Sequence, residues 1–458
     1  MKDKLASCEG FNMDFLGKKV LVCGMAKSGQ SAALLLNQLG AIVTVTDSKT
    51  EISWDYNPTE KGIITRLGEN PENFVTLHDL IIISPGISIY APFVERAVKL
   101  GIPVWGETEL AYRLCPCPMV AITGTNGKTT VTTLVGEILK LHNQGTVIAG
   151  NIGIPLTGLV SALSPKDIVV AEISSFQLET ISAFRPKISA VLNMTEDHLD
   201  RHLTMENYIA AKSRIFENQR QDDIIVLNYD NIVTKALMKP PGRVIYFSMS
   251  ENPNVDVYLK DGLICHRLND LNEEIQVMPI SETRVLPENA LAATALALCN
   301  HVPMELITKV LREFKGVAHR LEYLSTLDGV EYFNDSKATN VDAAIKGLEA
   351  FASPVVLIAG GYDKKTDFSP WVKLFKEKVA RLILIGQTAA QIIQTCDEFG
   401  FSAYENAESL QEAYARAKEI AVAGQVVLFS PACASFDMFK NFEERGDIFR
   451  GLVKDGKT

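Results

Sequence analysis

Eight short runs rich in β-branched residues constrain this chain more than any other feature: KKVLVCG, LIIISPG, MVAITG, DIVVAEIS, ISAVLNM, PVVLIAGG, RLILIGQ and QVVLFSP. Each is followed by a helix-like segment, and each is apolar at consecutive positions rather than alternate ones. A strand that is apolar on both faces must be covered on both, as in a parallel sheet with helices above and below it. The pattern predicts an α/β class. At 458 residues the chain is too long for one core, since single cores stop growing at roughly 250–300 residues. Three domains are expected, at 1–112, 113–315 and 316–458. The first boundary is read from ETELAYRLCPCP (107–118), whose prolines precede a new strand. The second is read from FKGVAHRLEYL (314–324), after which the strand and helix pattern restarts. The first and third segments read as Rossmann-like doubly wound sheets.

The middle segment opens with MVAITGTNGKTTVTT (119–133). After Lys128 the apolar residues Val131, Leu134, Val135, Ile138 and Leu139 share one helical face, so a buried strand runs through a loop into an amphipathic helix. Gly124 and Gly127, around Thr125 and Asn126, let backbone N–H groups approach an anion. The helix dipole favours negative charge there, Lys128 adds a cation, and the Thr129 hydroxyl, followed by Thr130, can ligate Mg2+. The usual spacing G-x-x-x-x-G-K-[ST] is not met, because Ile122 stands where the first glycine would be, but a shorter loop keeps these donors. A P-loop ATPase-type domain is expected, against the alternative of a glycine turn with an incidental lysine.

Further candidates follow on neighbouring strands. Glu172 closes DIVVAE at the carboxyl end of a strand, where it is either a Mg2+ ligand or an exposed strand-end acid. His198, in TEDHLDRH with Asp197 and Asp200 beside it, is either a metal ligand or proton handler, or a solvated loop histidine. Lys212, in YIAAKSRIF, shares a face with Ile209, Ile215 and Phe216. It either snorkels or pairs with an acid, or it is desolvated to a neutral amine that reacts with carbon dioxide to give a metal-binding carbamate.

In the first segment VLVCGMAKSGQ reads as strand, glycine turn and helix, with Asp47 ending the next strand. The dinucleotide fingerprint G-x-G-x-x-G fails at Ala26, which argues against a nicotinamide dehydrogenase. Another nucleotide fits the same crevice, with Ser84 and Gly86 of SPGIS on a neighbouring strand end. The third segment places Asp335, Ser336, Lys337, Thr339 and Asn340 in EYFNDSKATN. The loops GGYDKKTDF and SPACASFDMFKNFEERG fall at the same end of a sheet. A net charge of −10 without a basic stripe argues against a nucleic-acid partner. The eight cysteines are scattered, and Cys115 and Cys117 are separated by one residue rather than the two typical of zinc or redox motifs, so reduced, mostly packed thiols are expected. No apolar run approaches the roughly 20 residues of a membrane span and MKDKLASCEGFNMDF has no signal-peptide stretch. A cytoplasmic protein is expected, with no membrane insertion.

Taken together, GTNGKTT, AEISSFQLE, TEDHLDRH, AAKSRIFEN, HRLEY, NDSKATN and SPACASFDMFKNFEERG resemble the Mur ligase superfamily of ATP-dependent amino-acid ligases, in order along nearly the whole chain. The family's loop is the short form G-T-N-G-K-[ST], so Ile122 belongs to the strand. NDSKATN and SPACASFD resemble the members that add D-glutamate to UDP-N-acetylmuramoyl-L-alanine through an acyl phosphate, releasing ADP and phosphate, in peptidoglycan precursor synthesis. The resemblance implies small-molecule substrates, a monomer, ATP and two Mg2+ ions. It assigns Lys27, Ser28, Asp47, Ser48, Ser84 and Gly86 to the UDP-sugar. ATP falls to Gly124, Thr125, Asn126, Gly127, Lys128, Thr129, Thr130, Asn289, Arg320 and Asp335, and metal to Thr129, Glu172, His198 and a carbamylated Lys212. Asn151 of GNIG joins Lys128, Glu172, His198 and Lys212 at the reacting groups. D-Glutamate falls to His198, Lys337, Thr339, Lys364 (with Lys365 beside it), Ser435 and Phe442. Where many family members carry a histidine-asparagine pair upstream of PENALAA, this chain reads TRVL. The rival readings are a sister ligase adding another residue and an ATPase that uses hydrolysis as a conformational switch.

Overall fold

The computed structural model describes residues 14–236, 240–269, 273–362 and 366–456. All eight apolar runs are strands: Lys19–Cys23, Leu80–Ile83, Met119–Thr123, Ile168–Glu172, Ile188–Val191, Val355–Ala359, Val379–Leu384 and Val426–Phe429. Every one pairs in parallel with its neighbours and is buried over most of its length. The α/β class holds. The chain divides into two compact units, Met1–Phe314 and Lys315–Thr458.

The first unit contains two sheets. One has five parallel strands in the order Ile64–Leu67, Ile42–Asp47, Lys19–Cys23, Leu80–Ile83 and Val104–Gly106. The connections change direction across Lys19–Cys23, so a crevice opens at the carboxyl ends of the strands there. Gly24, Asp47 and Ser84 stand at that edge.

The second sheet has nine strands: Ile275–Pro279, Leu263–His266, Val257–Lys260, Arg243–Ser248, Ile224–Asn228, Ile188–Val191, Met119–Thr123, Ile168–Glu172 and Thr146–Gly150. Met119–Thr123 is flanked on both sides by parallel strands, which brings the loops after residues 123, 172 and 191 to one edge. The helix Lys128–His142 follows, and Val131, Leu134, Val135, Ile138 and Leu139 are all fully buried. At the far side the sheet turns antiparallel through Val257–Lys260, Leu263–His266 and Ile275–Pro279.

Residues 107–114 form a helix that carries two buried carboxylates. Glu107 accepts from the Thr157 N–H at 2.7 Å and its hydroxyl at 2.9 Å. Glu109 accepts from the N–H groups of Ser182, Ala183 and Phe184 at 2.8–3.0 Å and from Arg113 Nε at 2.6 Å. This helix therefore ties the first sheet to the second.

The second unit has one six-stranded sheet in the order Glu322–Leu327, Val330–Asn334, Val426–Phe429, Val355–Ala359, Val379–Leu384 and Tyr404–Asn406. Only Glu322–Leu327 runs antiparallel to its neighbour. The NDSKATN and SPACASFD loops leave the adjacent parallel strands Val330–Asn334 and Val426–Phe429 at the same end.

Candidate functional site

The loop after Met119–Thr123 is shaped by its neighbours. Thr125 N–H donates to Asn193 O at 2.9 Å, and Asn126 N–H to Asn193 Oδ1 at 2.8 Å. The Thr125 hydroxyl lies 3.1 Å from Thr195 O and 3.0 Å from the Tyr208 hydroxyl. Gly127 has φ +83°, a left-handed conformation, and a Cβ there would come 2.4 Å from Asn289 Oδ1. Glycine is required on both counts, and Asn289 is thereby placed against the loop. Thr129 and Thr130 are buried at the first turn of the helix, and the Thr130 hydroxyl has no hydrogen-bond partner among the described residues.

Two lysines converge on this loop. Lys128 Nζ donates to Gly124 O and Thr125 O, both at 2.8 Å, and Lys212 Nζ donates to the same Gly124 O at 2.8 Å. Lys212 does not snorkel: it is 2% exposed and its Nζ lies 4.8 Å from the Tyr208 ring centre. The snorkelling alternative is corrected, because the amine has a carbonyl acceptor inside the fold. Burial, reinforced by the Lys128 charge, pushes its pKa well below the usual lysine range, against the pull of Asp197 and Glu172.

Glu172 is 1% exposed rather than a solvated strand-end acid, and its Oε1 accepts from Asn151 Nδ2 at 2.9 Å. Asn151 N–H also donates to Glu172 O at 2.8 Å. His198 is half-buried with φ +55°, an uncommon conformation for a non-glycine residue. Its ring packs edge-on against Phe176 at 4.9 Å and its Nε2 lies 3.6 Å from Asp197 Oδ2.

At the first sheet, Asp47 Oδ2 accepts from Met25 N–H at 2.6 Å and Oδ1 from Lys49 N–H at 3.0 Å. Burial opposes ionisation of this carboxyl, but the backbone N–H groups of Lys49 and Met25, with the Lys49 charge and the Ser48 hydroxyl, together hold the pKa below the usual range. The Ser84 hydroxyl donates to Gly24 O at 2.7 Å. Lys27, Ser48 and Gly86 are exposed at this edge and Ser28 is half-buried. Sequence reasoning passed over Arg201. Its guanidinium donates to Gly86 O at 3.1 Å, Ile87 O at 2.9 Å and Glu179 Oε2 at 2.6 Å, and lies 4.5 Å from the Phe176 ring centre. It joins the SPGIS loop to the segment that carries His198.

In the second unit Asp335 is buried, with Oδ2 accepting from the Ser430 hydroxyl at 2.8 Å and Oδ1 from Leu321 N–H at 3.2 Å. Burial raises its pKa to about 7, against the Ser430 bond and the Arg320 charge. Arg320 stands between two left-handed residues, His319 (φ +63°) and Leu321 (φ +42°). Lys337 Nζ lies 5.2 Å from the Phe442 ring centre, Thr339 is half-buried and Ser435 is buried. Lys364 and Lys365 lie outside the described residues.

Among the described residues no group of three or more His, Cys, Asp or Glu has metal-holding geometry. Mg2+ takes one or two protein oxygens and fills the rest of its shell with phosphates and water. The Thr130 hydroxyl and the Thr129 and Glu172 oxygens give hard donors at this edge, so the residues present fit the ion. No helix among the described residues is long and apolar enough to cross a membrane.

Comparison with known proteins covers the chain in three segments. Residues 18–106 match the Mur ligase MurD-like N-terminal domain, 122–297 the Mur ligase middle domain, and 319–433 the Mur ligase glutamate ligase domain. The UDP-N-acetylmuramoylalanine–D-glutamate ligase of Caldanaerobacter subterraneus subsp. tengcongensis is 45% identical, over 97% of this chain and 99% of the relative. The enzyme of the same name from Pelotomaculum thermopropionicum is 46% identical, over 96% and 98%. The MurF ligase of Thermotoga maritima in complex with ADP superposes with a TM-score of 0.59 at 13% identity, over 99% of this chain and all of that one, a likeness of fold. With three family domains matched in order and relatives of this identity along almost its full length, the chain belongs to the Mur ligase family.

Proposed function

We propose that this chain joins D-glutamate to UDP-N-acetylmuramoyl-L-alanine at the expense of ATP, releasing ADP and phosphate, in peptidoglycan precursor synthesis. The relatives that carry this name support the substrates, and the family relative solved with ADP supports the nucleotide. The observation that carries the reading is the convergence of Lys128 and Lys212 on Gly124 O beside a buried Glu172. The Lys128 cation stands at the start of a helix, where phosphoryl oxygens are best held, with the desolvated Lys212 amine beside it.

In the first step an oxygen of the alanyl carboxylate bonds to the γ-phosphorus as the bridging P–O bond to ADP breaks. Lys128 leaves the loop carbonyls for the γ-phosphoryl oxygens and spreads their charge, while the loop from Gly124 to Gly127 lets the phosphates approach the first N–H groups of the helix and Asn289 holds the loop's shape. Thr129, Glu172, His198 and a carbamylated Lys212 would hold Mg2+, which would supply Lewis-acid stabilisation of the phosphoryl charge. The depressed basicity of Lys212 suits it to a carbamate, formed when its neutral amine bonds to carbon dioxide and gives up a proton. Asn151, through its bond to Glu172, orients that carboxylate towards the reacting groups. In the second step the D-glutamate amine bonds to the acyl carbon, loses a proton, and phosphate leaves. Lys27, Ser28, Asp47, Ser48, Ser84 and Gly86 hold the UDP-sugar. His198, Lys337, Thr339, Lys364, Ser435 and Phe442 hold D-glutamate, and Arg320 and Asp335 serve the nucleotide. These roles go with three domains at 1–112, 113–315 and 316–458. All of them come from one chain, and we place it in the cytoplasm as a monomer.

Hydroxylamine trapping tests the first step. With ATP and UDP-N-acetylmuramoyl-L-alanine but no amino acid, the wild type should give the hydroxamate of the alanyl carboxyl and Lys128→Ala should not. A wild type that forms no hydroxamate refutes the acyl-phosphate route.

A further inference from the structure

The second unit contains a buried cation that the scheme above leaves without a task. Arg445, in the helix Phe442–Asp455, is 1% exposed. A buried guanidinium is normally matched by a carboxylate. Here its four hydrogen bonds go to carbonyl and hydroxyl oxygens. Nε donates to Ser336 Oγ at 3.0 Å, Nη1 to Ala434 O at 3.1 Å, and Nη2 to Ser336 O at 2.8 Å and Cys433 O at 3.1 Å. Asp335 and Asp437 act on it only through space, and burial lowers its pKa to about 10, which leaves it charged at neutral pH.

These bonds join two loops, and a third packs against them. Ser336 belongs to NDSKATN, and Cys433 and Ala434 to SPACASFD. Gly361 of GGYDKK fits so closely that a Cβ there would come 2.3 Å from Ala434 O and 3.2 Å from Arg445 Nη1. The Ser336 hydroxyl, having accepted from Arg445, donates to Phe442 O at 2.9 Å. Ala432, next to Cys433, is held at φ +57°, a conformation that persists in a non-glycine residue only where its surroundings over-determine it. Three residues assigned to the acceptor amino acid adjoin this clasp. Lys337 follows Ser336, Ser435 follows Ala434, and Phe442 accepts the Ser336 bond.

We propose that Arg445, relayed through the Ser336 hydroxyl, is a positioning residue that sets the acceptor loops and gives their site its preference for an acidic amino acid. The inference rests on the reading that these loops hold the acceptor. An internal carboxylate on the guanidinium would cancel its field. With none hydrogen-bonded to it and Asp335 and Asp437 acting only through space, the charge favours a second carboxylate on the ligand, and the low local dielectric lengthens its reach. The planar fork is what spans Ser336 and the 433–434 carbonyls together, which a lysine cannot do.

The test uses the full-length enzyme with D-glutamate and its uncharged isostere D-glutamine as acceptors, comparing wild type, Ser336→Ala, Arg445→Lys and Arg445→Met. Ser336→Ala should raise KM for D-glutamate about tenfold, the scale of one lost charge-assisted hydrogen bond. KM for ATP and hydroxamate formation without amino acid should stay at wild-type values. Arg445→Lys should raise the D-glutamate KM by roughly 10- to 100-fold while still preferring D-glutamate. Arg445→Met should shrink the ratio of kcat/KM for D-glutamate over D-glutamine by about tenfold or more. If Arg445→Met does not fold, Ser336→Ala and Arg445→Lys decide. The proposal is overturned if Ser336→Ala keeps its D-glutamate KM within about twofold of wild type, or if KM rises in parallel for all three substrates. A wild type that uses no acidic acceptor overturns the reading of the site as well, whereas an active wild type matched by its variants overturns this proposal alone.

Discussion

Replacing Glu109 by glutamine changes one oxygen to an amide nitrogen, yet the structure predicts a large loss of stability. Oε2 accepts from the N–H groups of Ser182 and Phe184, and Oε1 from the N–H of Ala183 and from Arg113 Nε. Each oxygen serves two donors, so neither flip of the amide satisfies the site. One flip sets the NH2 against Ser182 and Phe184, the other against Ala183 and Arg113. Glu109 is fully buried, so water cannot make good the loss. Two donors left unmatched at about 1–3 kcal/mol each cost about 2–6 kcal/mol. At about 2 °C per kcal/mol for a unit of this size, the melting temperature should fall by roughly 4–12 °C. Differential scanning calorimetry of wild type and Glu109→Gln at pH 7 measures this directly. A melting temperature within about 1 °C of wild type would refute the claim that this carboxylate latches the first sheet to the second.

Three more outcomes are expected. Lys128→Ala should fold normally but lose on the order of a thousandfold or more in the rate of phosphate release, because charge stabilisation is the main task in phosphoryl transfer; steady-state kinetics check this. The raised pKa of Asp335 means the folded state holds more protons than the unfolded one between pH 3.8 and about 7. Its contribution to stability is therefore full at acid pH and is lost as pH rises through about 7, by on the order of 4 kcal/mol. Asp335→Asn should flatten this slope in urea titrations between pH 4 and 7.5. For Lys212 the folded pKa is lowered by burial and by Lys128, so the unfolded chain binds the extra proton up to its ordinary pKa and wild-type stability rises with pH over that window. In buffer freed of carbon dioxide, Lys212→Met should lose that rise, gaining on the wild type at lower pH while being inactive; thermal melts across pH check the sign.

The parallel core was legible because continuous apolar runs are unambiguous about burial on both faces. What escaped was antiparallel and long-range. Two hairpins turn on Asp-Gly pairs with positive φ at both residues, Asp261–Gly262 and Asp328–Gly329. This is the strongest short hairpin signal a sequence carries, but the strands around it mix polar and apolar residues and so do not stand out as apolar runs. The edge that gathers Lys128, Glu172, His198 and Lys212 could be argued from strand ends. The position of the Lys212 amine could not, since its acceptor, Gly124, is 88 residues away. The same holds for Glu109, whose partners are 73–75 residues off, and for Arg445, which meets Ser336 across 109. On sequence alone each is one more charge on an amphipathic helix. Only the fold shows which charges are inside.

The central claim is that phosphoryl transfer on the second sheet serves amide bond formation with D-glutamate. It is tested most directly by phosphate release from Mg-ATP and UDP-N-acetylmuramoyl-L-alanine with no amino acid, with D-glutamate and with L-glutamate, the product being identified by mass spectrometry. The account predicts sustained release only with D-glutamate, matched by one amide product per phosphate. Release at the same rate whatever amino acid is present, with no amide product, would contradict it.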